Sequence, residues 1–323
     1  MDHQGYRIGD HRDVEDLPQQ LAALSNAAFS QYEGAMPVDA AFISWYLRRP
    51  GCRPELCPVA LSEDRLVSNV LVAIEDLRLG GEVLPCGIID TVATLPQHRR
   101  HGLARVLMER AHELMRQAGA EATVLYTNPD DHPYRFYQRL GYETRAVGAA
   151  LLGPRPAHTQ PAQPATSAEA AAIRRLLDRF YSQYEGYAPV TDELWDWHRL
   201  SRPGDMPVHL RVLRDDSQEV VGTAAFAEAE TLVGGEQVPV AVAGDLACDT
   251  GTSLQRLLAA APGERVMTLV DEQSPLYAEL LGLGFEPAVR ETAMVLPFSQ
   301  RAVAALGHRS GPWYIMIESV VGV

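Results

Sequence analysis

The sequence predicts a mixed α/β fold in which two similar units follow one another along the chain. Three observations support this prediction: short motifs recur in the same order, a proline-rich segment interrupts the chain near its middle, and helical and β-rich patterns alternate in both halves. A length of 323 residues is sufficient for two domains of ordinary size.

The recurrence of short sequence blocks indicates a tandem duplication. Matching blocks are 30–34 (SQYEG) with 182–186, Trp45 with Trp197, 80–82 (GGE) with 234–236, Asp90 with Asp245, and 140–142 with 283–285. The offset is 152 residues for the first two pairs, 154 and 155 for the next two, and 143 for the last. The second half therefore lacks about 12 residues between its equivalents of Asp90 and Leu140.

The boundary between the halves is predicted at a proline-rich segment. Residues 154–168 read PRPAHTQPAQPATSA, and four prolines in so short a stretch disfavour both a helix interior and a central strand. We therefore expect a first domain over residues 1–153, a linker over 154–166 and a second domain over 167–323.

Each half shows the same succession of helical and β-rich patterns. The expected elements of the first half are helices at 14–28 and around Trp45, strands at 57–61, 66–77 and 83–94, a helix reaching residue 117, a strand at 122–127, a helix at 134–140 and a strand at 147–152. The second half opens with a matching helix at 167–180.

The charge balance makes the chain strongly acidic. Its 28 Lys and Arg residues against 42 Asp and Glu residues give a formal net charge of −14. Such a surface repels phosphate backbones and anionic lipids, so neither a nucleic acid nor a membrane is expected as the main partner. A cationic partner such as an amine fits this charge better.

The four cysteines (Cys52, Cys57, Cys86 and Cys248) are too few for a disulfide scaffold and form no paired CxxC motif, so no structural metal site is expected. The polar N-terminal segment has no signal-peptide pattern, and no apolar run approaches the length of a membrane span. These features predict a reduced cytoplasmic protein.

The segment 90–108 combines a strand, an Arg-rich loop and the start of a helix. Gly102 and Ala104 allow a ligand to approach the backbone, and the first amides of a helix bind anions. Arg99, Arg100 and Arg105 add positive charge, so the segment suits a phosphate group. The alternative is a solvated basic helix start. Neither the dinucleotide GxGxxG motif nor a Walker P-loop is present.

Two motifs make the chain resemble the GNAT superfamily of acyl-CoA-dependent N-acyltransferases. Residues 99–104 (RRHGLA) match its Arg/Gln-x-x-Gly-x-Gly/Ala pattern, and 134–142 (YRFYQRLGY) are similar to its aromatic segment after a strand ending at Asn128. The resemblance is strong over 6–153 and weak over 168–298. It implies two tandem GNAT folds, each with a central, mixed, splayed β-sheet flanked by helices.

The resemblance also implies how acetyl-CoA would bind. The pyrophosphate would lie on the amides of residues 100–105, and the pantetheine along the strand end, where an N–H near Val92 would polarise the thioester carbonyl. The implied cofactor-binding residues are Val92, Ala93, Thr94, Arg99, Arg100, His101, Gly102, Leu103, Ala104, Arg105, Asn128, Tyr134 and Tyr137. The resemblance implies no metal.

Three residues are candidates for the chemistry. Tyr137 matches the general acid of the family, which protonates the leaving thiolate, although a packed aromatic residue is the alternative. Asp90 is a candidate base, or a structural carboxylate, since Asp245 occupies the equivalent position in the second half. Glu33 is the other candidate base. Its QYEG motif occurs in both halves, which also fits packing between them.

The second half is expected to have lost the cofactor site. Residues 246–253 (LACDTGTS) contain no arginine, and Leu280 stands where the first half has Tyr137. We therefore expect a degenerate GNAT domain, followed by a strand-like tail at 313–321 outside the repeat.

The expected function is transfer of an acetyl or other acyl group from acetyl-CoA to a primary amine of a small, cationic molecule, by direct attack in a ternary complex. The tandem arrangement is similar to that of antibiotic-cluster acyltransferases and, more distantly, of mycothiol synthases and Eis-type acetyltransferases. A non-catalytic acyl-CoA sensor and an acyl-CoA hydrolase are the alternatives. A monomer or a homodimer is expected.

Overall fold

The computed structural model describes residues 2–32, 34–204, 206–248, 251–308 and 311–315. The strands are β1 Asp2–His3, β2 Tyr6–Asp10, β3 Pro58–Ser62, β4 Arg65–Leu79, β5 Glu82–Thr94, β6 Ala122–Thr127, β7 Glu143–Pro154, β8 Gln163–Pro164, β9 Val208–Arg214, β10 Val220–Val233, β11 Glu236–Cys248, β12 Arg265–Asp271 and β13 Glu286–Pro297. The helices are α1 Leu17–Phe29, α2 Ala40–Tyr46, α3 Leu103–Gln117, α4 His132–Arg139, α5 Ala170–Phe180, α6 Asp192–Trp195, α7 Gly251–Leu258, α8 Pro275–Gly282 and α9 Gln300–Leu306.

All these strands join one mixed sheet in the order β1-β2-β3-β4-β5-β6-β13-β7-β12-β11-β10-β9-β8. The pairs β5–β6 and β11–β12 are parallel, and the other neighbouring pairs are antiparallel. The element succession of the first half returns in the second. The predicted mixed α/β class with two tandem units is confirmed.

The two halves exchange strands at the centre of the sheet. The chain offset makes β13 the counterpart of β7 and β12 the counterpart of β6, yet β13 pairs with β6 and β7 pairs with β12. The exchanged strands also pair with each other, with Glu291 opposite Gly148. Each half therefore completes its sheet with a strand of the other, and the division into domains at 153 and 167 stays a prediction.

Helix α2 and its counterpart meet at the interface of the halves. The Trp45 and Trp197 rings stack with centroids 4.7 Å apart at an interplanar angle of 8°. The Nε1 of each indole donates to the backbone carbonyl of the other tryptophan, at 3.0 Å in both directions. The duplicated tryptophans thus form a pseudo-twofold contact, which explains why both halves retain them.

The QYEG motifs serve the same interface. Gly34 N donates to Leu232 O at 2.8 Å, and its counterpart Gly186 N donates to Arg78 O at 2.8 Å. Both glycines have positive φ, at 81° and 72°, a conformation that glycine adopts without steric cost. Each motif thus binds the long hairpin of the opposite half, which supports the packing interpretation of the repeat.

The predicted linker 154–166 lies against the second half. Arg155 N donates to Glu264 O at 2.8 Å and Ala162 N to Arg256 O at 2.9 Å, and Ala162 is buried. In the predicted tail, buried Trp313 forms a parallel bridge with Glu185, whereas residues from 316 onward lie outside the described part. Within the described ranges, no helix has the length and hydropathy needed to cross a membrane.

Truncating either stacked tryptophan is expected to destabilise the whole chain. Trp45→Ala or Trp197→Ala should each lower the free energy of unfolding by about 3–5 kcal/mol, because each removes a buried, stacked indole together with its Nε1 hydrogen bond. Urea unfolding followed by circular dichroism measures this change. The double variant should lose less than the sum of the single variants, since they remove the same contact.

The control is Leu200→Ala, which lies just beyond the second tryptophan and is 67% exposed. It should change stability by no more than about 0.5 kcal/mol. Full additivity of the two tryptophan variants would contradict the pseudo-twofold contact.

Candidate active site

The site begins where strands β5 and β6 separate. They pair in parallel only from Cys86–Ala122 to Ile89–Leu125, so residues 90–94 have no strand partner on that side. The β4–β5 register also shifts between Val70 and Val72, which places Asp90 and Thr91 in a bulge. Free backbone groups of β5 consequently face a wedge-shaped gap.

A cavity of about 1010 Å³ occupies this gap. It is lined by the C-terminal end of α1, the end of β5, the first turn of α3, and α4. The second half contributes Leu232, Gln237, Met267, Val289 and Glu291. Of the three strand residues predicted to contact acetyl-CoA, Val92 and Thr94 line the cavity, whereas the Ala93 side chain is buried elsewhere.

The first turn of α3 opens onto the cavity. Arg100 and Gly102 adopt positive φ values of 67° and 75°, which turn the chain sharply into the helix. Val106 N donates to Gly102 O, and the amides of residues 103–105 precede it with no acceptor inside the helix. These amides have the geometry of an anion-binding helix start, and their contact with a phosphate stays a prediction.

The three predicted arginines have different surroundings. Arg99 donates from Nη2 to Ala28 O at 3.0 Å and from Nε to Thr94 O at 3.3 Å, which ties α1 to the end of β5. Arg105 pairs with Glu109 on the exposed face of α3. Arg100 has no ionic partner among the described residues. All three line the cavity, whereas the His101 ring lies toward His98.

Tyr137 lies on the cavity side of α4. Its side chain is 7% exposed, packs against Phe136 and Tyr142, and makes no hydrogen bond to a described residue. Burial, with a smaller contribution from Tyr32, raises the pKa of Tyr137 above its usual value of 10. The phenol is therefore protonated at neutral pH and available as a proton donor.

Asn128 and Tyr134, the two other residues predicted to contact the cofactor here, lie in different surroundings. Asn128 lines the cavity, and its Oδ1 accepts a hydrogen bond from Asp130 N at 2.9 Å. Tyr134 instead hydrogen-bonds to Thr144 Oγ1 at 2.8 Å, outside the cavity lining. Glu33 lies outside the described residues.

Asp90 belongs to a buried polar network. Its Oδ2 accepts a hydrogen bond from Tyr46 OH and lies 3.8 Å from Arg49 Nη1. Arg49 in turn donates to Tyr46 OH at 2.8 Å and to Glu75 Oε1 at 2.6 Å. Burial raises the pKa of Asp90 to about 6, although Arg49 and Tyr46 oppose this rise.

The second half repeats the carboxylate, whereas the cavity beside Asp245 holds only about 60 Å³. Asp245 accepts from Arg199 Nε at 2.7 Å, so both equivalent aspartates hold an arginine that follows the interface tryptophan. At the start of α7, the Glu279 carboxylate lies against Gly251, where a phosphate would be repelled. Leu280, the counterpart of Tyr137, is fully buried.

Sequence reasoning missed Tyr46, Arg49 and Glu75, which come together only through tertiary folding. It also missed Glu291, which β13 brings into a cavity of the first half. This residue is 8% exposed, and burial, followed by the effect of Asp131, raises its pKa to about 8. No local sequence signal identified it, because its position depends on the strand exchange.

Comparisons with known proteins agree with this geometry. Residues 14–145 match the family profile described as an acetyltransferase (GNAT) domain. Over 90 residues, 28% of this chain, the sequence is 32% identical to N-alpha-acetyltransferase 30 of Schizosaccharomyces pombe, and it spans 58% of that relative's length. Residues 14–145 are therefore similar to a GNAT acetyltransferase domain, which supports the prediction of an acetyltransferase enzyme.

Solved structures resemble the fold of nearly the whole chain. Saccharomyces cerevisiae N-myristoyltransferase with bound myristoyl-CoA superimposes with a TM-score of 0.72 at 11% identity, covering 93% of this chain and 80% of that chain. A GCN5-related N-acetyltransferase from Anabaena variabilis gives 0.64 at 17% identity, covering 90% and 72%. The predicted fold of two tandem GNAT-like halves is confirmed.

The raised pKa of Asp90 predicts a specific dependence of stability on pH. Because this pKa is about 6 in the folded state, against an ordinary value near 3.8, the folded protein binds more protons than the unfolded chain between these values. The contribution of Asp90 to the free energy of unfolding thus falls as pH rises through this window. Relative to that of wild type, the free energy of unfolding of Asp90→Asn should therefore increase by about 3 kcal/mol between pH 4 and pH 7.

Urea unfolding at several pH values measures this difference. Asp216→Asn, on an exposed loop, is the matched control and should show no such trend. A constant difference between wild type and Asp90→Asn would show that Asp90 does not titrate in this window.

Proposed function

We propose that this protein is an acyltransferase that moves an acetyl group from acetyl-CoA to a primary amine of a small molecule. The observation that supports it best is the convergence of three features on one cavity. These are the unpaired end of β5, the first turn of α3 and the buried phenol of Tyr137.

In this proposal the cofactor extends from the start of α3 to the end of β5. The amides of residues 103–105, assisted by Arg100 and Arg105, bind the pyrophosphate. The free backbone groups of Val92 and Thr94 bind the pantetheine, and a backbone N–H there polarises the thioester carbonyl. Arg99 holds the cradle in place through its bonds to Ala28 and Thr94.

The proposed reaction is direct aminolysis. The amine nitrogen attacks the thioester carbonyl carbon, a C–N bond forms, the C–S bond breaks, and Tyr137 donates a proton to the departing sulfur. Of the two roles considered for Asp90, we favour the structural one. Tyr46, Arg49 and Thr91 already engage its oxygens, and Asp245 has a similar arginine partner in the second half.

We further propose that residues 1–153 form the cofactor-binding unit and residues 167–323 a degenerate GNAT unit that completes the acceptor end of the cavity. An antibiotic or another secondary metabolite is the proposed kind of acceptor. Among the described residues, the four cysteines form no disulfide, which fits the reducing conditions of the cytoplasm. A monomer or a homodimer stays the proposed oligomeric state.

The first test is calorimetric titration of acetyl-CoA into the full chain. One site is expected, because the proposed cradle is built from residues 99–105, whereas the Glu279 carboxylate lies against the start of α7. Arg100→Ala should weaken binding roughly tenfold through loss of a phosphate contact. Arg110→Ala on the same helix, where Arg110 pairs with Glu113 on the exposed face, is the matched control and should bind normally. Two sites, or none, would contradict the proposal.

The second test separates an enzyme from an acyl-CoA sensor. Tyr137→Phe should lower kcat by about 100-fold while the Kd for acetyl-CoA stays unchanged, because only the proton donor is removed. Tyr134→Phe on the same helix removes a hydroxyl bonded to Thr144 and should retain the wild-type rate. Mass spectrometry of the products distinguishes amine acetylation from simple hydrolysis.

A further inference from the structure

We propose that Glu291, supplied by the exchanged strand β13, binds the ammonium group of the acceptor and takes a proton from it before the attack. This inference rests on the proposed acyltransferase function and specifies how the second half takes part in it. The expected acceptor is a primary monoamine with an apolar body.

The position of Glu291 results from the strand exchange. Strand β13 lies between β6 and β7, with Glu291 opposite Gly148. By the offset of 143 residues, Gly148 is also the sequence counterpart of Glu291. The two residues therefore occupy equivalent positions in the two halves, where the second half has a carboxylate and the first half has a glycine.

The cavity lining carries charges of both signs on different elements. Arg100 and Arg105 lie at the start of α3, whereas Asp131 precedes α4 and Glu291 lies on β13. Glu291 is more than nine-tenths buried, and its carboxylate has no hydrogen-bond donor among the described residues. A buried carboxylate without a partner is costly, so a cation delivered through the cavity would stabilise it.

The surroundings of Glu291 indicate the rest of the acceptor. Met36, Ala150, Met267 and Val289 line the cavity and belong to, or pack against, one hydrophobic cluster. A second ammonium group placed against these side chains would lose its hydration without gaining a partner. The site thus favours an amine whose remaining part is aliphatic or aromatic.

The proposed proton balance is complete. The bound ammonium transfers one proton to the Glu291 carboxylate, and the neutral amine attacks the thioester. As the C–N bond forms and the C–S bond breaks, the departing sulfur takes the proton of Tyr137, and the second proton from the nitrogen restores the Tyr137 phenol. Glu291 then releases the first proton to solvent, so the sum is one amide, one free thiol and one proton released.

The pKa of Glu291 is suited to this task. Burial raises it to about 8, so Glu291 is mostly protonated at neutral pH in the empty site, and its carboxylate form becomes the major one above about pH 8. Within the described residues, the titratable and charged groups around Glu291 come from several elements. Asp131 and His132 lie at the start of α4, and Tyr126 lies on β6. Tyr32 precedes Gly34, which packs on Val289, and Arg290 on β13 pairs with Asp130.

The test uses the full-length protein, saturating acetyl-CoA and three probes: n-hexylamine, 1,6-diaminohexane and 1-hexanol. Wild type should acetylate n-hexylamine at least about tenfold more efficiently than the diamine, and 1-hexanol not at all. Glu291→Gln should lower kcat/KM for n-hexylamine about 100-fold while acetyl-CoA binds with unchanged Kd. Glu286→Gln, an exposed position on the same strand, should match wild type.

The pH profile distinguishes a reacting carboxylate from a merely structural one. For wild type, kcat/KM should rise up to about pH 8 and then level off, and Glu291→Gln should lose this bend. Equal kcat/KM for Glu291→Gln and wild type would overturn this inference alone. Preference for the diamine would overturn the proposed acceptor class. Failure of wild type to bind acetyl-CoA would overturn the acyltransferase proposal together with this inference.

Discussion

The exchange of strands between the halves is the constraint on which the sheet, the interface and the cavity all depend. Because β13 enters between β6 and β7, two duplicated units become a single continuous sheet. The same exchange lets the second half line a cavity that begins in the first. The stacked pair Trp45–Trp197 and the hydrogen bonds of the QYEG motifs fasten the two units around this exchange. Neither half is a complete sheet by itself.

The chemistry of the site arises from an interruption of the same sheet. Strands β5 and β6 separate after four paired residues on each, which leaves backbone groups free and opens the cavity. Helix α3 points its unbonded amides at one side of the gap, and α4 presents Tyr137 at the other. In the second half, Glu279 lies at the equivalent helix start and Leu280 replaces the phenol. The two duplicated units thus differ, among the described residues, at the helix start and at the position of the phenol.

The sequence predicted the features that depend on local pattern. The fold class, the helix start at Gly102 and the cavity position of Tyr137 can be inferred from motifs and periodicity within short segments. The buried network of Asp90 could not be predicted from the sequence, because Arg49 and Glu75 join it through tertiary packing. Glu291 was equally hidden, since 143 residues separate it from Gly148, its pairing partner. The hydrophobic periodicity of a strand does not indicate whether it pairs within its own half or with the other half.

Hydrogen–deuterium exchange of the full chain, with and without acetyl-CoA, tests the central claim most directly. The claim is that one acyl-CoA site exists, between the end of β5 and the start of α3. Added acetyl-CoA should slow exchange of the amides at 92–94 and 103–105 and leave those at 251–255 unchanged. Slower exchange at 251–255 in the presence of acetyl-CoA would contradict the account. Unchanged exchange at the starts of both α3 and α7 would contradict it as well.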